Sequence, residues 1–453
     1  MDGNWSSTWK RLRGIWTIAD LRNKILFTLG LLLVYRILAH ITVPLTHQEL
    51  VNLANLSGSG KSQNLGQLLG LLDVFSGGSL LSFSVVALGV APYITATIVM
   101  QLLQPMIPAL HNLSTQGEAG RHRLSQITRI ITVPLAFLQA VGQSAIFTRA
   151  GVLDANTFNL FGPNWLETLS ILLSLTAGTM ILLWIGELIT ERGIGNGISL
   201  IIFAGIVSRI PQLIQQGFVI STSAGGNGGG IVSIGVFLFI GLLTLLGIVF
   251  IYQGQRRIPL QHATRRIVGH GTQVGSSQRS YLPMQINSTG MIPLIFAQSM
   301  LLFPALISQY LVGSQIKWIA GIALWTGTNL ANTSLWYYWF TYFALVVAFT
   351  YFYAYIVWQQ QNVPENLQKQ GTYIPGYRPG EPTRKYLGVI LNRITLCGAL
   401  FLGVVAILPF VSQVGGNQLL SSASLLIVVG VVLDTVRQID AQMVMRNYSG
   451  FLS

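Results

Sequence analysis

The chain of 453 residues is 51% hydrophobic and only 9% charged, with a formal net charge of +13 and a mean hydropathy of +0.58. Soluble globular domains carry about 25% charged residues, so this composition excludes a disordered chain, a disulfide scaffold and an ordinary soluble enzyme, and leaves a polytopic membrane protein. The single cysteine, Cys397, lies inside an apolar run, which excludes an intrachain disulfide and argues against redox chemistry.

A helix needs roughly 20 apolar residues to cross about 30 Å of hydrocarbon. Residues 1–24 precede the first apolar run, which has no small-residue cleavage site after it and reads as a retained span. By that measure ten spans follow in order: 25–44, 83–104, 124–146, 166–189, 196–214, 231–252, 288–311, 337–358, 387–411 and 418–436. Spans four and five are separated only by the Gly-rich turn running from Glu187 to Gly197. With the N-terminus placed inside, 21 of the 26 basic residues fall in inside segments and four fall outside, with Arg36 within span one. The acidic residues divide nine inside and four outside, so the inner face is near +12 and the outer face neutral. The positive-inside rule then expects both termini in the cytoplasm, and ten spans are consistent with that. Trp336, Tyr337, Tyr338 and Trp339 at the outer end of span eight, and Trp358 at its inner end, read as interfacial anchors.

Three features depart from a plain bundle. The segment Gln253 to Pro283 holds Arg256, Arg257, Arg265, Arg266 and Arg279 with no carboxylate. Gln359 to Tyr386 holds Lys369, Arg378, Arg384 and Lys385 against Glu365 and Glu381. Orienting a span needs fewer charges, so these loops read as docking surfaces for RNA phosphates, lipid head groups or an acidic protein face, with topogenic excess as the plain alternative. Between Gln63 and Ser84, an apolar stretch too short to span is interrupted by Asp73 and ended by Gly77-Gly78. It reads as a re-entrant or half-buried helix, which is tolerated at membrane depth only inside protein or beside a water-filled cavity.

The third feature is the lack of chemistry within the spans. Arg36 and His40 are the only ionisable candidates for a relay, and no acidic partner lies in a nearby span. Pro92, Pro134, Pro293, Pro304, Pro409, Thr95, Thr97 and Asn287 suit helices that bend or slide. The six histidines never fall at metal-ligand spacing, and no nucleophile–base pair is visible, so neither a cofactor nor a catalytic residue is expected. The stretch from Ser57 to Ser62 resembles the end of a phosphate-binding loop, but Asn55 stands where the first glycine is required. Gly193, Gly195 and Gly197 lack the βαβ context of a dinucleotide site.

In order along the chain come Val74-Phe75-Ser76-Gly77-Gly78, Ala87-Leu88-Gly89-Val90-Ala91-Pro92-Tyr93-Ile94-Thr95, Glu191-Arg192-Gly193-Ile194-Gly195-Asn196-Gly197-Ile198-Ser199 and Gly254-Gln255-Arg256-Arg257-Ile258-Pro259. Asn287-Ser288-Thr289-Gly290-Met291-Ile292-Pro293, Ile374-Pro375-Gly376-Tyr377-Arg378-Pro379-Gly380-Glu381 and Leu425-Leu426-Ile427-Val428-Val429-Gly430 complete the set. With these motifs the chain resembles the SecY family, the central subunits of the bacterial protein-conducting channel, almost end to end. It departs from the usual pattern in the sparsely charged loop His111 to Arg121, in the segment 267–280, and in ending at Ser453 without the basic tail of many relatives.

The resemblance implies an all-α fold of ten transmembrane helices in two inverted five-helix halves around an hourglass pore. The halves would be 25–214 and 231–436, joined by the outer linker 215–230 and followed by a cytoplasmic tail, 437–453. It makes 63–76 a plug helix presenting Leu65, Leu68, Leu69, Leu72 and Phe75. The implied pore ring is Val90, Ile94, Ile198, Ile202, Ile295 and Ile427; aliphatic side chains hold neither water nor ions, so such a ring dewets and seals. Thr95, Gln139 and Asn287 match the polar positions of a lateral gate between spans two and seven, with packing alone as the competing account. Arg256, Arg257, Arg265, Arg266 and Arg378 fall in the loops, here 253–283 and 359–386, that dock the SecA ATPase or the ribosome. The implied function is translocation of unfolded preproteins, and lateral release of signal segments, in the bacterial inner membrane, with SecE and SecG as partners and the driving energy supplied from outside. A secondary transporter of a small solute is the alternative, and a multispan enzyme is a weaker one.

Overall fold

The computed structural model describes residues 18–46, 49, 76, 78–80, 82–149, 151, 153, 165–223, 229–262, 280–287, 290, 292–311, 318, 320–321, 324–326, 335–378, 380–411 and 422–449. It forms two compact units. One comprises Met1–Val219, Ala305–Asn332 and Ile427–Ser453, the other Ile220–Pro304 and Thr333–Leu426. The helices of the first unit are α1 (Ala19–Leu38), α2 (Ala91–Leu103), α3 (Pro108–Thr115), α4 (Glu118–Arg149), α5 (Trp165–Arg192) and α6 (Gly197–Ser223, whose last turn passes the unit boundary). The second unit contains α7 (Gly229–Gln253), β1 (Gln255–His262), β2 (Ser280–Gln285), α8 (Ile292–Leu311, whose last residues from Ala305 fall in the first unit), α9 (Trp336–Gln361), α10 (Val363–Lys369), β3 (Thr372–Tyr373) and α11 (Glu381–Val411). The last helix, α12 (Ser422–Ser449), belongs mainly to the first unit.

Among the described residues, four helices are long and apolar enough to cross a membrane: Glu118–Ala145, Trp165–Arg192, Trp336–Lys369 and Glu381–Leu408. The pair Ala91–Leu103 and Pro108–Ser114, bent by 104°, adds a fifth if counted as one span. Gly197–Pro211, Gly241–Gln253 and Ile292–Leu301 are shorter apolar helices. Their polar residues are accommodated by a repeated device. The hydroxyls of Thr95, Thr128, Thr132, Thr148, Thr176 and Thr190 each donate to the carbonyl four residues back, at 2.8–3.0 Å. That bond satisfies each hydroxyl inside an apolar helix without a partner element. Leu26, Leu29, Leu33 and Ile37 of α1 stay exposed, as lipid-facing side chains do.

The apolar run places the start of span two at residue 83, but α2 begins at Ala91. Residues 82–90 are turns, with Phe83 at φ +43° and Gly89 at φ +59°. This irregular backbone is paired and buried, as irregular backbone at membrane depth must be. The Val43 N–H donates to the Phe83 carbonyl at 3.1 Å, and the Val85 N–H to the Ile41 carbonyl at 2.9 Å. The Phe83 ring packs at a tilt against Phe147 of α4, centroids 4.6 Å apart, within a core that also holds Val43, Leu80, Leu88, Leu172 and Leu175. Gly178 of α5 permits the contact, since a Cβ there would stand 2.0 Å from the Val85 carbonyl oxygen.

In the second unit, the two segments expected as basic loops contribute strands to one small sheet. Strands β2, β1 and β3 lie side by side in that order, antiparallel throughout, with Gln255 opposite Gln285 and Gln261 opposite Tyr373. One face buries Ile258, Leu260 and Met284 with Leu367, Ile374, Leu387 and Ile390. Trp358, expected as an interfacial anchor, packs against this core. Pairing β1 with β3 joins the two basic segments into one body, a long-range contact with no short-range signature in the sequence.

Candidate functional site

The expected ring residues stand near helix starts. Val90 is buried at the N-cap of α2, and Ile94, half-buried, follows one turn on, its N–H donating to the Val90 carbonyl at 3.1 Å. On α6, Ile198 and Ile202 are likewise one turn apart, the first half-buried and the second buried. Ile427 is buried on α12 in the same unit, and Ile295 is buried on α8 in the other. Ile198 also packs against α5, where a Cβ on Gly186 would come within 3.1 Å of its Cγ1.

What holds α6 in place is the Gly-rich turn. The Asn196 Oδ1 accepts from the N–H groups of Ile198 and Ser199 at 3.1 and 3.3 Å, which caps α6. The Thr190 hydroxyl accepts from the Gly197 N–H at 2.9 Å, and Thr28 of α1 accepts from the Ile194 N–H at 3.2 Å. A Cβ on Gly197 would stand 1.9 Å from the Gly186 carbonyl oxygen, and Gly195 has φ +85°. The glycine triplet is therefore a close-packed hinge between α5 and α6. Thr28 and Thr190 were invisible in the sequence, because each looks like any hydroxyl in an apolar span. An ion pair between Arg129 of α4 and Glu187 of α5 links the two helices; both residues lie within the expected spans three and four, which corrects the expectation that the spans hold no ionisable pair.

Of the polar gate residues, the structure brings two together. Gln139 Nε2 on α4 donates to Thr95 Oγ1 on α2 at 3.3 Å. The Thr95 hydroxyl in turn donates to the Ala91 carbonyl at 3.0 Å. Asn287 is buried in the second unit, just after β2. Sequence reasoning missed three further polar groups on these same helices. Gln101 Oε1, Gln143 Oε1 and Ser144 Oγ are buried without a hydrogen-bond partner among the described residues. Gln143 follows Gln139 by one helical turn, and that spacing was the available signal.

The expected plug residues Leu65, Leu68, Leu69, Leu72 and Phe75, like Arg265 and Arg266, lie outside the described residues. The chain is described again at Ser76, whose carbonyl accepts from the Ser79 hydroxyl at 2.6 Å and whose Oγ accepts from the Leu80 N–H at 3.1 Å. Gly78, at φ +86°, lies against the stem of Arg209 from α6.

Strand geometry separates the two leading arginines. Arg257 stands opposite Pro283 and shares the exposed face of the sheet with Pro259, Tyr281 and Tyr373. Arg256 stands opposite Met284, on the face that buries Ile258 and Leu260, and is itself exposed. Alternation along a strand requires the split. Arg378 is exposed in the turn between β3 and α11, where the Thr383 hydroxyl donates to its carbonyl at 2.8 Å and the rings of Tyr377 and Tyr386 stack at 4.1 Å.

Apolar helices, a buried irregular segment between them, aliphatic residues near helix starts and a basic sheet outside the spans are features of a polytopic channel, and comparison with solved structures agrees. The fold is similar to "the structure of a protein conducting channel" (TM-score 0.62, 18% identity, 93% of this chain and 92% of that one). It is also similar to Sec61 in the canine ribosome–channel complex from the endoplasmic reticulum (TM-score 0.59, 17% identity, 93% and 92%). The SecY family model matches residues 84–436. The protein translocase subunit SecY of Streptomyces scabiei is 40% identical over 442 residues, covering 96% of this chain and 97% of the relative. That of Mycobacterium tuberculosis is 41% identical over 443 residues with the same coverage. The chain belongs to the SecY family. It is a membrane-embedded translocase channel subunit, which sets aside the solute-transporter alternative.

Proposed function

We propose that the chain is the conduit of a bacterial Sec translocon, passing unfolded preproteins across the inner membrane and releasing signal segments sideways into it. The observation that carries this reading is near full-length similarity to SecY translocase subunits, at 40–41% identity, together with the channel fold. In this reading ten spans in two inverted halves, 25–214 and 231–436, surround the pore, and both termini face the cytoplasm. Val90, Ile94, Ile198, Ile202, Ile295 and Ile427 form the sealing ring, and the segment 63–76 is the plug. Thr95, Gln139 and Asn287 line the lateral gate; the bond between the first two supports that role. SecE and SecG complete the channel.

The chain itself performs no catalysis in this reading, and ATP hydrolysis belongs to its partner. Arg256, Arg257, Arg265, Arg266 and Arg378 dock SecA or the ribosome, and the exposed setting of Arg256, Arg257 and Arg378 supports that. One reconstitution tests the whole. The chain and its small partner subunit are placed in liposomes with SecA, ATP and an unfolded precursor. Protease-protected precursor is the expected result, and none, under conditions where an established channel works, would sink the proposal.

A further inference from the structure

The turn that carries Arg378 runs between Gly376 at φ +86° and Gly380 at φ +107°. Glycines on both sides would leave such a turn free to swing, because each can adopt many backbone conformations. Three contacts remove that freedom. Ile374 is buried in the core beneath the sheet. Tyr377, immediately before Arg378, stacks its ring on Tyr386 of α11 with centroids 4.1 Å apart and planes 25° from parallel. Thr383, buried near the start of α11, donates its hydroxyl to the Arg378 carbonyl at 2.8 Å. The Arg378 backbone is thus held from both sides, while its guanidinium stays exposed.

We infer that Tyr377, Tyr386 and Thr383 are positioning residues for docking, holding Arg378 ready for an anionic partner that they need not touch. The inference rests on the docking role proposed above for Arg378. Its physical basis is preorganisation: an arginine on a fixed backbone loses less conformational entropy on binding than one on a mobile turn. Tyr377 is exposed, whereas Tyr386 is half-buried and packs against the core below as well as stacking on Tyr377. Removing the Tyr377 ring therefore loosens the turn and leaves the scaffold standing.

The test uses the full chain with its small partner subunit in liposomes, with SecA titrated at saturating ATP and precursor. Tyr377→Ala, Tyr386→Ala and Thr383→Val should each raise the half-saturating SecA concentration by about three- to tenfold, with the maximal transport rate unchanged. Tyr386→Phe keeps the stack and should behave as the parent protein. Tyr377 is exposed, so its replacement leaves the core intact and gives a readout free of folding defects. If Arg378→Glu weakens docking and the tyrosine variants do not, the positioning role is wrong and the docking role stands. A lower maximal rate at unchanged half-saturation would also overturn it, because that pattern belongs to a transport defect. If Arg378→Glu itself leaves the half-saturating concentration unchanged, the docking reading fails and takes the inference with it.

Discussion

Gln139 of α4 and Thr95 of α2, 44 residues apart in the chain, are joined by a hydrogen bond of 3.3 Å from the amide Nε2 to the hydroxyl oxygen. Thr95 passes the bond on to its own helix through the Ala91 carbonyl. Gln143 and Ser144, about one turn further along α4, carry buried polar atoms without a partner among the described residues. An uncharged polar contact of this kind is a weak latch: interhelical hydrogen bonds in membranes contribute about 0.6 kcal/mol on average, with a maximum near 2.

The first prediction concerns that latch. Gln139→Leu should loosen the contact between α2 and α4 by about 0.5–1.5 kcal/mol. In the proposed channel it should allow export of a precursor with a weakened signal sequence. The double variant Gln139→Leu with Thr95→Val should do no more than the single change, because both remove one bond. Additive effects in a double-mutant cycle would show that the two residues act separately.

Backbone contact at the hinge between α5 and α6 yields a second prediction. Gly197→Ala would place a methyl 1.9 Å from the Gly186 carbonyl oxygen, where neither backbone can yield without moving a helix. The variant should lose several kcal/mol, about 3 or more, and accumulate poorly. Gly241→Ala in α7 has nothing within 4 Å and should be neutral, or stabilising by up to about 1 kcal/mol. Thermal unfolding in detergent separates the two; equal midpoints would contradict the hinge geometry.

A third concerns the ion pair between Arg129 and Glu187. Both side chains are partly buried, at 34% and 24% relative exposure. Removing one partner should cost more than replacing both, because an unpaired charge is left in a poorly solvated place. Glu187→Ala should destabilise by about 1–3 kcal/mol, and Arg129→Met with Glu187→Leu by less. A double replacement worse than the single one would mean that the pair stabilises through its own attraction, and that burial of the charges costs little.

Strand alternation separates the roles of neighbouring arginines. Arg257 shares its exposed face with Pro259, Tyr281, Pro283 and Tyr373, a rigid surface of basic and aromatic character. Charge reversal there should weaken partner docking more than reversal of Arg256, and should lower the salt dependence of binding. Titration of partner binding at two ionic strengths checks this. Equal losses for the two variants would show that total charge, and not the sheet face, is what the partner meets.

Much of this was legible from composition and local pattern. The apolar runs, the basic loops and the ordered motifs identified a membrane channel of this family, because lipid demands long apolar helices whatever the chain does next. What stayed hidden depends on partners distant in sequence. Phe83 and Ser84 read as part of a helix, yet the backbone there turns, because residues 41–43 supply hydrogen bonds and Phe147 and Gly178 supply space. Arg256 and Arg257 read as one basic pair, yet β2 and β3 make them a strand with two faces.

The net charge of +13 and the scarcity of charge pointed to a membrane protein with basic segments between its apolar runs. Those are sums over residues and need no contacts. Only the tertiary structure decided which hydroxyl meets which amide, why three glycines are required between α5 and α6, and how the turn bearing Arg378 is held. The first joins segments 44 residues apart, and closing such a contact costs entropy that no local pattern records. The other two depend on backbone geometry and side-chain placement that residue types alone do not fix.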